Sequence, residues 1–532
     1  MSNFAALLRR ANVAALLHGA VAPMLAVFLL GAQGSANAAT YYIDYVGGSD
    51  ANDGLSIVRP WKAHPYMACR SGGAYTHATG DRFIFKGGVE WPRTCFEMTI
   101  GASGTAASPD YYGVDKGWYS GGAWSRPIFN GQRSRLARGE NIIGLGDRSY
   151  VRIDNIEVKG HRTFSNANQT ASIHYNCANN VTMSNLWVHD WSVDPSVTQD
   201  NGQGGIYGHI SGCSPATVWV EYSEISNTEW TGSGRQSGAA IRGGNCRYCV
   251  IHDANTGILH GTMHNSRMYN ISNAGNDSFD SSFHTNSLYI DNWAGVGVDP
   301  GSTPALIYNN HIYNVSSGSG AIYPNPRYSP NSTIYIYNNV VANVTWLGAV
   351  NIDTYCYGCS AASVGKVYIW NNTFQVGSNG NGFKDVRVTP TGASRPPLNT
   401  LVMQNNHSIN DNGFWGGGNT LTLTNNNNVS MSNAQAGSMG FTSSQPFAYS
   451  STKAGDPTVG VGLNLSARCG ELSALCSDTT YGSMLVGSAV QWPARAAKAR
   501  STSSAWDVGA YLFSSSGTTM GPPPPPVGLI VQ

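Results

Sequence analysis

Arg242, His260, His284 and Tyr323 are residue types that together could move a proton on a charged substrate. Three of them end glycine-led runs: Gly238-Ala239-Ala240-Ile241-Arg242, Gly257-Ile258-Leu259-His260 and Gly320-Ala321-Ile322-Tyr323. Gly295-Val296-Gly297-Val298-Asp299 and Gly348-Ala349-Val350-Asn351-Ile352-Asp353 have the same form. If such strands stack, their non-core side chains form one column: His209, Arg242, His260, His284, Asp299, Tyr323, Asp353 and Lys384. Neighbours in it would stand about 5 Å apart, close enough for two or three to act on one ring. Arg242 can neutralise a carboxylate and acidify the C–H beside it, and His260, His284 or Tyr323 can take the proton. His209, Asp353 and Lys384 would then bind the substrate. Asp277, Asp280 and Asp299 could hold Ca²⁺ in place of Arg242 or beside it. Paired carboxylates, Asp277 with Asp280 or Asp299 with Asp353, would instead suit acid-assisted hydrolysis. A slip of one residue would turn any member of the column inward.

The elements that must position this column are written in an internal repeat. Ala305-Leu306-Ile307-Tyr308-Asn309-Asn310, Ile334-Tyr335-Ile336-Tyr337-Asn338-Asn339, Val367-Tyr368-Ile369-Trp370-Asn371-Asn372 and Leu401-Val402-Met403-Gln404-Asn405-Asn406 are one motif, and its second asparagine recurs after 29, 33 and 34 residues. Degenerate copies stand at Val151-Arg152-Ile153-Asp154-Asn155 and Val181-Thr182-Met183-Ser184-Asn185. Alternation such as Val367, Ile369 puts apolar side chains on one face of a strand. From Ile369 to Phe374, Ile336 to Val341 and Ile307 to Ile312 the apolar step is five residues. An odd step breaks the two-residue period, so the chain must turn a corner there. Asparagine readily enters the left-handed conformation that a corner needs. Each repeat thus reads strand, asparagine corner, strand, glycine turn, strand, and stacked copies bury one continuous core.

Composition agrees with this reading. With 63 Gly, 27 Tyr and only 11% charged residues, the chain suits strands and tight turns rather than helices. A net charge of +1 gives no reason to expect nucleic acid as a partner. Arg9, Arg10, the apolar run from Val21 to Leu30 and Ala36-Asn37-Ala38 form an export signal, with the mature chain starting near Ala39. No later apolar run reaches the roughly 18 residues of a membrane span. Ten cysteines in an exported chain argue for disulfides. Proximity suggests Cys69 with Cys95, Cys177 with Cys213, Cys246 with Cys249, Cys356 with Cys359 and Cys469 with Cys476. The two Cys-x-x-Cys pairs could instead form a zinc site, although stacked coils would hold them too far apart. The expected organisation is a signal peptide (1–38), a solenoid (39–513) and a Pro-rich linker (514–532) containing Pro522 to Pro526. Within the solenoid, 39–140 would be N-terminal capping coils, 141–430 regular repeats and 431–513 C-terminal coils and cap. A monomer is expected.

The asparagine repeats resemble those of the pectate-lyase-like superfamily, from roughly Tyr41 to Phe513. Tyr41-Tyr42-Ile43-Asp44 with the turn Gly48-Ser49-Asp50-Ala51-Asn52-Asp53-Gly54-Leu55-Ser56 is similar to the opening of many secreted members. So is Gly80-Asp81-Arg82-Phe83-Ile84-Phe85, while Trp506-Asp507-Val508-Gly509-Ala510-Tyr511 resembles their closing strand. The resemblance implies an all-β, right-handed parallel β-helix stapled by disulfides. The superfamily includes lyases, hydrolases, epimerases and non-catalytic adhesins, so fold leaves function open. Together with the column, it implies a secreted carbohydrate-active protein. The leading expectation is a polysaccharide lyase that cleaves a uronate-containing polymer by β-elimination. A non-catalytic carbohydrate-binding or adhesive surface protein and a glycoside hydrolase are the alternatives. Neither the Trp-Ile-Asp-His nor the Arg-x-Pro-x-x-Arg pattern of the best-known pectate lyases occurs. Trp187, Trp191, Trp230, Trp293 and Trp346 could stack on sugar faces; His161 and His311 are given no role.

Overall fold

The computed structural model describes residues 38–514 except 166–169, 195, 198–202, 209–216, 228–237, 273–285, 292–303, 327–330, 357–361, 378–382, 391 and 393. The export signal and the polyproline run lie outside the described residues. Short strands stack into three parallel sheets of thirteen, twelve and ten strands among the described residues. In each sheet the neighbour of a strand is the corresponding strand one coil away, which makes the chain a right-handed parallel β-helix.

The repeated motif sets the register. In the first sheet Ile307 pairs with Ile336, Ile336 with Ile369 and Ile369 with Met403. In the second, Ile312, Val341 and Phe374 line up, and in the third Leu288, Ile322, Val350 and Val386 do so. All of these side chains are fully buried in one cluster. Each contributes roughly 1.5–3 kcal/mol by leaving water.

The corner between the first and second sheets uses the two asparagines differently. Asn309, Asn338, Asn371 and Asn405 take φ values of +54°, +56°, +51° and +59°, in the left-handed region. The asparagine that follows each of them points inward and joins a buried ladder. Asn310 Nδ2 donates to Asn339 Oδ1 (2.9 Å), Asn339 to Asn372 (3.0 Å), Asn372 to Asn406 (3.0 Å) and Asn406 to Asn428 (2.9 Å). Each amide also bonds strand backbone, as Asn339 Nδ2 does to the Ile307 carbonyl at 2.9 Å. In earlier coils serines serve this position: Ser223 and Ser266 accept from the backbone of Leu186 and Cys249, both at 3.0 Å.

Disulfides join Cys69 to Cys95, Cys246 to Cys249 and Cys469 to Cys476, as proximity suggests. Cys177 and Cys356 are also disulfide-bonded, while Cys213 and Cys359 lie outside the described residues. Cys246 and Cys249, bonded to each other, are not zinc ligands.

After Val429–Met431 no described strand extends the three sheets. A short helix, Asn433–Met439, starts on a capping box of Ser432 and Gln435 and ends at Gly440 in the left-handed conformation. The chain then runs back over the outside of the first two sheets. Leu472 and Leu475 pack on Tyr335, Tyr337 and Trp370, and Tyr481 stacks on His311. Side chains Asn338, Asn371 and Asn405 donate to the carbonyls of Ala474, Asp507 and Leu463. Among the described residues, no hydrogen bond given for this returning segment reaches the third sheet. No described helix is long and apolar enough to cross a membrane.

Candidate functional site

Among the described residues the third sheet carries none of these hydrogen bonds on its outer face. Strands Thr170–Tyr175, Gln203–Gly208, Ala239–Arg242, Thr256–Leu259, Leu288–Asp291, Ile322–Asn325, Val350–Ile352 and Val386–Val388 follow one another across it. Register places His174, Tyr207, Arg242, Leu259, Tyr289 and Tyr323 at one level. The same level continues to Asn351 and Arg387.

Arg242 and Tyr323 share this level, as the glycine-led runs suggest, but they are three strands apart. At about 4.8 Å per strand the gap is about 14 Å, too far for one sugar ring. Arg242 belongs to an upstream group: its guanidinium lies 4.9 Å from the centre of the Tyr207 ring, and His174 stacks on the other side at 5.7 Å.

His260 departs from the expected column. It follows Leu259, the register partner of Arg242, so it stands one position out of phase. It turns the corner with φ +57°, is 4% exposed, and sets its ring 5.2 Å from Tyr289. A buried corner imidazole has no open path to a polymer lying on the sheet. His209, His284, Asp277, Asp280 and Asp299 lie outside the described residues. Among the described residues no group of three His, Cys, Asp or Glu could hold a metal ion.

Downstream, Tyr323 and Asp353 do meet. Tyr323 donates to Asp353 Oδ2 at 2.7 Å. Asp353, 5% exposed, also accepts from Asn325 Nδ2 (3.4 Å), Tyr355 N (3.0 Å), Thr389 Oγ1 (3.2 Å) and Arg395 Nε (3.4 Å). Burial and the adjacent carboxylate hold the Tyr323 hydroxyl well above the usual phenol range, with Arg395 and Arg387 pulling the other way. Tyr323 is therefore a phenol at neutral pH, with a carboxylate in reach of its proton.

A cavity of about 560 Å³ lies on the last strand of this sheet, two strands beyond that of Tyr323, lined by Phe383, Lys384, Arg387, Val388, Pro390 and the Gly416-Gly417-Gly418-Asn419 turn. Lys384 precedes the strand and donates from Nζ to the Asn412 carbonyl. Arg387 sits within the strand at the level of Tyr323. Sequence reasoning missed it although Val386 and Val388, both buried, mark it as outward by simple alternation. Arg395 and Thr389 were also missed; they follow the strand in irregular chain and have no periodic signal.

No protein-family model matches the chain, and no curated protein matches it. Among solved structures, pectate lyase Pel9A is similar at 13% identity over 90% of this chain and 98% of that one, with a TM-score of 0.42. A GH136 lacto-N-biosidase from Eubacterium ramulus is similar at 13% identity over 74% of this chain and 67% of that one, with a TM-score of 0.41. An alginate lyase from a Paenibacillus species is similar at 13% identity over 66% of this chain and 93% of that one, with a TM-score of 0.31. Likeness at this level carries no argument about substrate or chemistry.

Proposed function

We propose that the chain is a secreted polysaccharide lyase that binds a uronate-containing polymer on the outer face of the third sheet and cleaves it by β-elimination. The observation that carries this reading is the Tyr323–Asp353 hydrogen bond beside Arg387 and Arg395. Arg387 and Lys384 neutralise the substrate carboxylate and thereby acidify the neighbouring C–H. Tyr323 oxygen takes that proton as its own moves to Asp353, and the carbon–oxygen bond to the leaving sugar breaks as the double bond forms. A proton held by the pair then passes to the leaving oxygen, which balances the step. Arg242, with Tyr207 and His174, binds the chain farther along the sheet.

His284 is the alternative base. A Ca²⁺ held by Asp277, Asp280 and Asp299 is the alternative neutraliser. Absorbance of the unsaturated product tests these assignments on pectin, alginate, glucuronan and glycosaminoglycans, with Ca²⁺ or with chelator. A rise on one polymer supports the lyase, and chelator sensitivity assigns neutralisation to the ion rather than to Arg387. New reducing ends without absorbance would point to hydrolysis.

The second reading is carbohydrate binding without cleavage. It is favoured by the five donors already on Asp353 and by the stacked rings of the column, Tyr289 with Tyr323 at 5.0 Å among them. Silence in both assays with retained polymer affinity would select it.

A further inference from the structure

A second cavity lies on a different sheet, and only the choice of a sugar as its ligand rests on the reading above. Its volume is about 440 Å³, within the range of pockets that take small molecules, about 300–1,000 Å³. Its floor is the outer face of the second sheet, where Arg267 pairs in register with His311. Its roof is the returning C-terminal segment, which brings Phe447 and Tyr481 over these strands.

The lining combines flat rings with polar groups. Tyr481 stacks on His311 at 4.1 Å and meets Phe447 edge-on at 5.4 Å, while His311 stacks on Tyr313 at 4.3 Å. His311 is 6% exposed; its Nε2 bonds the Tyr481 hydroxyl at 3.1 Å, whereas its Nδ1 has no partner. Arg267 lies 5.4 Å from the Tyr481 ring centre, and its Nε is likewise buried without an acceptor. Among the described residues Arg267 forms no ion pair, and its side chain hydrogen-bonds that of Tyr313. A buried N–H without an acceptor is unfavourable, and an acceptor on a bound molecule would satisfy it. Burial keeps His311 neutral, with Arg267 adding to the effect, so Nδ1 is available to a hydroxyl rather than as a second cation.

We infer that this cavity binds a carboxylate-bearing sugar of one or two rings: Arg267 takes the carboxylate, His311 Nδ1 meets a hydroxyl, and Phe447 packs against the ring face. A cation beside rings suits an acidic sugar better than a neutral one.

Calorimetric titration of the whole chain with galacturonate, glucuronate and their methyl esters provides the test. The esters keep the ring and remove the charge. The expected result is binding of one free acid, weaker binding of its ester by about tenfold or more, and a loss of similar size for Arg267→Gln. Phe447→Ala should weaken acid and ester alike. Equal binding of acid and ester, binding unaffected by Arg267→Gln in a protein that melts normally, or no binding of either acid would overturn the inference. If Arg267→Gln does not fold, the acid-to-ester ratio on the unaltered protein decides alone.

Discussion

The outer faces of the second and third sheets are built by the same coils, yet the two histidine–carboxylate clusters of the second contrast with the cations Arg242, Lys384 and Arg387 of the third. On the second, His189 lies between Glu157 (3.2 Å) and Asp190 (2.8 Å), and His252 between Glu224 (3.1 Å) and Asp253 (2.6 Å). Each ring nitrogen faces a carboxylate oxygen, an arrangement that the imidazolium satisfies. Burial alone would lower both pKa values, but the carboxylate hydrogen bonds overcome it and raise them. On the third sheet Arg387 and Lys384 stand beside a cavity and Arg242 rests on a ring, with no carboxylate pairing given for them among the described residues. Charges matched internally hold the fold, whereas a cation beside a cavity can meet an anionic ligand.

The largest expected effect sets the two faces apart by activity. Tyr323→Phe and Arg387→Ala should each lower kcat/KM by about 10²- to 10⁴-fold while unfolding midpoints barely move. His252→Gln should leave kcat/KM unchanged. Equal losses from both faces in a turnover assay would erase the distinction.

Stability should show the reverse pattern. His252→Gln strands Glu224 and Asp253 and should cost about 2 kcal/mol in urea unfolding, discounted for the partial exposure of Asp253. Tyr323→Phe should cost no more than about 1 kcal/mol.

The pH dependence follows from the same pairs. Because folding raises the pKa of His189 and His252, their contribution is complete below the ordinary histidine value and fades as pH rises through the raised one. Asp385 acts with the same sign: burial lifts it to about 7, against hydrogen bonds from Ser408 and Asn410, so stability is lost as pH rises through that value. Buried histidines such as His311 and His407 shift the opposite way, so the readout is a difference between proteins: from pH 6 to pH 9 the unaltered protein should lose roughly 1–3 kcal/mol more in urea unfolding than Asp385→Asn does. An equal loss in both proteins would contradict the assignment.

The smallest effect concerns the corner that feeds the second face. Asn343 donates to Asn314 (2.9 Å), Asn314 to Asn270 (3.1 Å) and Asn270 to Asp253 (2.9 Å), all three asparagines in the left-handed conformation. Asn343→Ala should cost about 1 kcal/mol by denaturant titration and nothing in activity.

Much of the fold was legible because the coil repeats itself. The odd apolar step from Ile369 to Phe374 required a corner, and Asn371 turns it. The inward ladder of Asn372 and its neighbours was not legible, since two adjacent asparagines look alike until the corner sends one side chain inside. The site was legible only by parity. Arg242 and Tyr323 share a level as their alternation implies, but His260 and Asp353 do not, because their strands have already ended at Leu259 and Ile352. Distance along the axis was lost as well: a list of outward residues does not say that Arg242 and Tyr323 are three strands apart. Arg395 reaches Asp353 from irregular chain, where no period exists to read.

The central claim is tested most directly by hydrogen exchange of the Tyr323→Phe protein with and without a uronate oligomer that the panel identifies. The account predicts added protection at Ile322–Asn325, Val350–Ile352 and Val386–Val388. Protection confined to the strands bearing His189 and His252, or none at saturating oligomer, would contradict it.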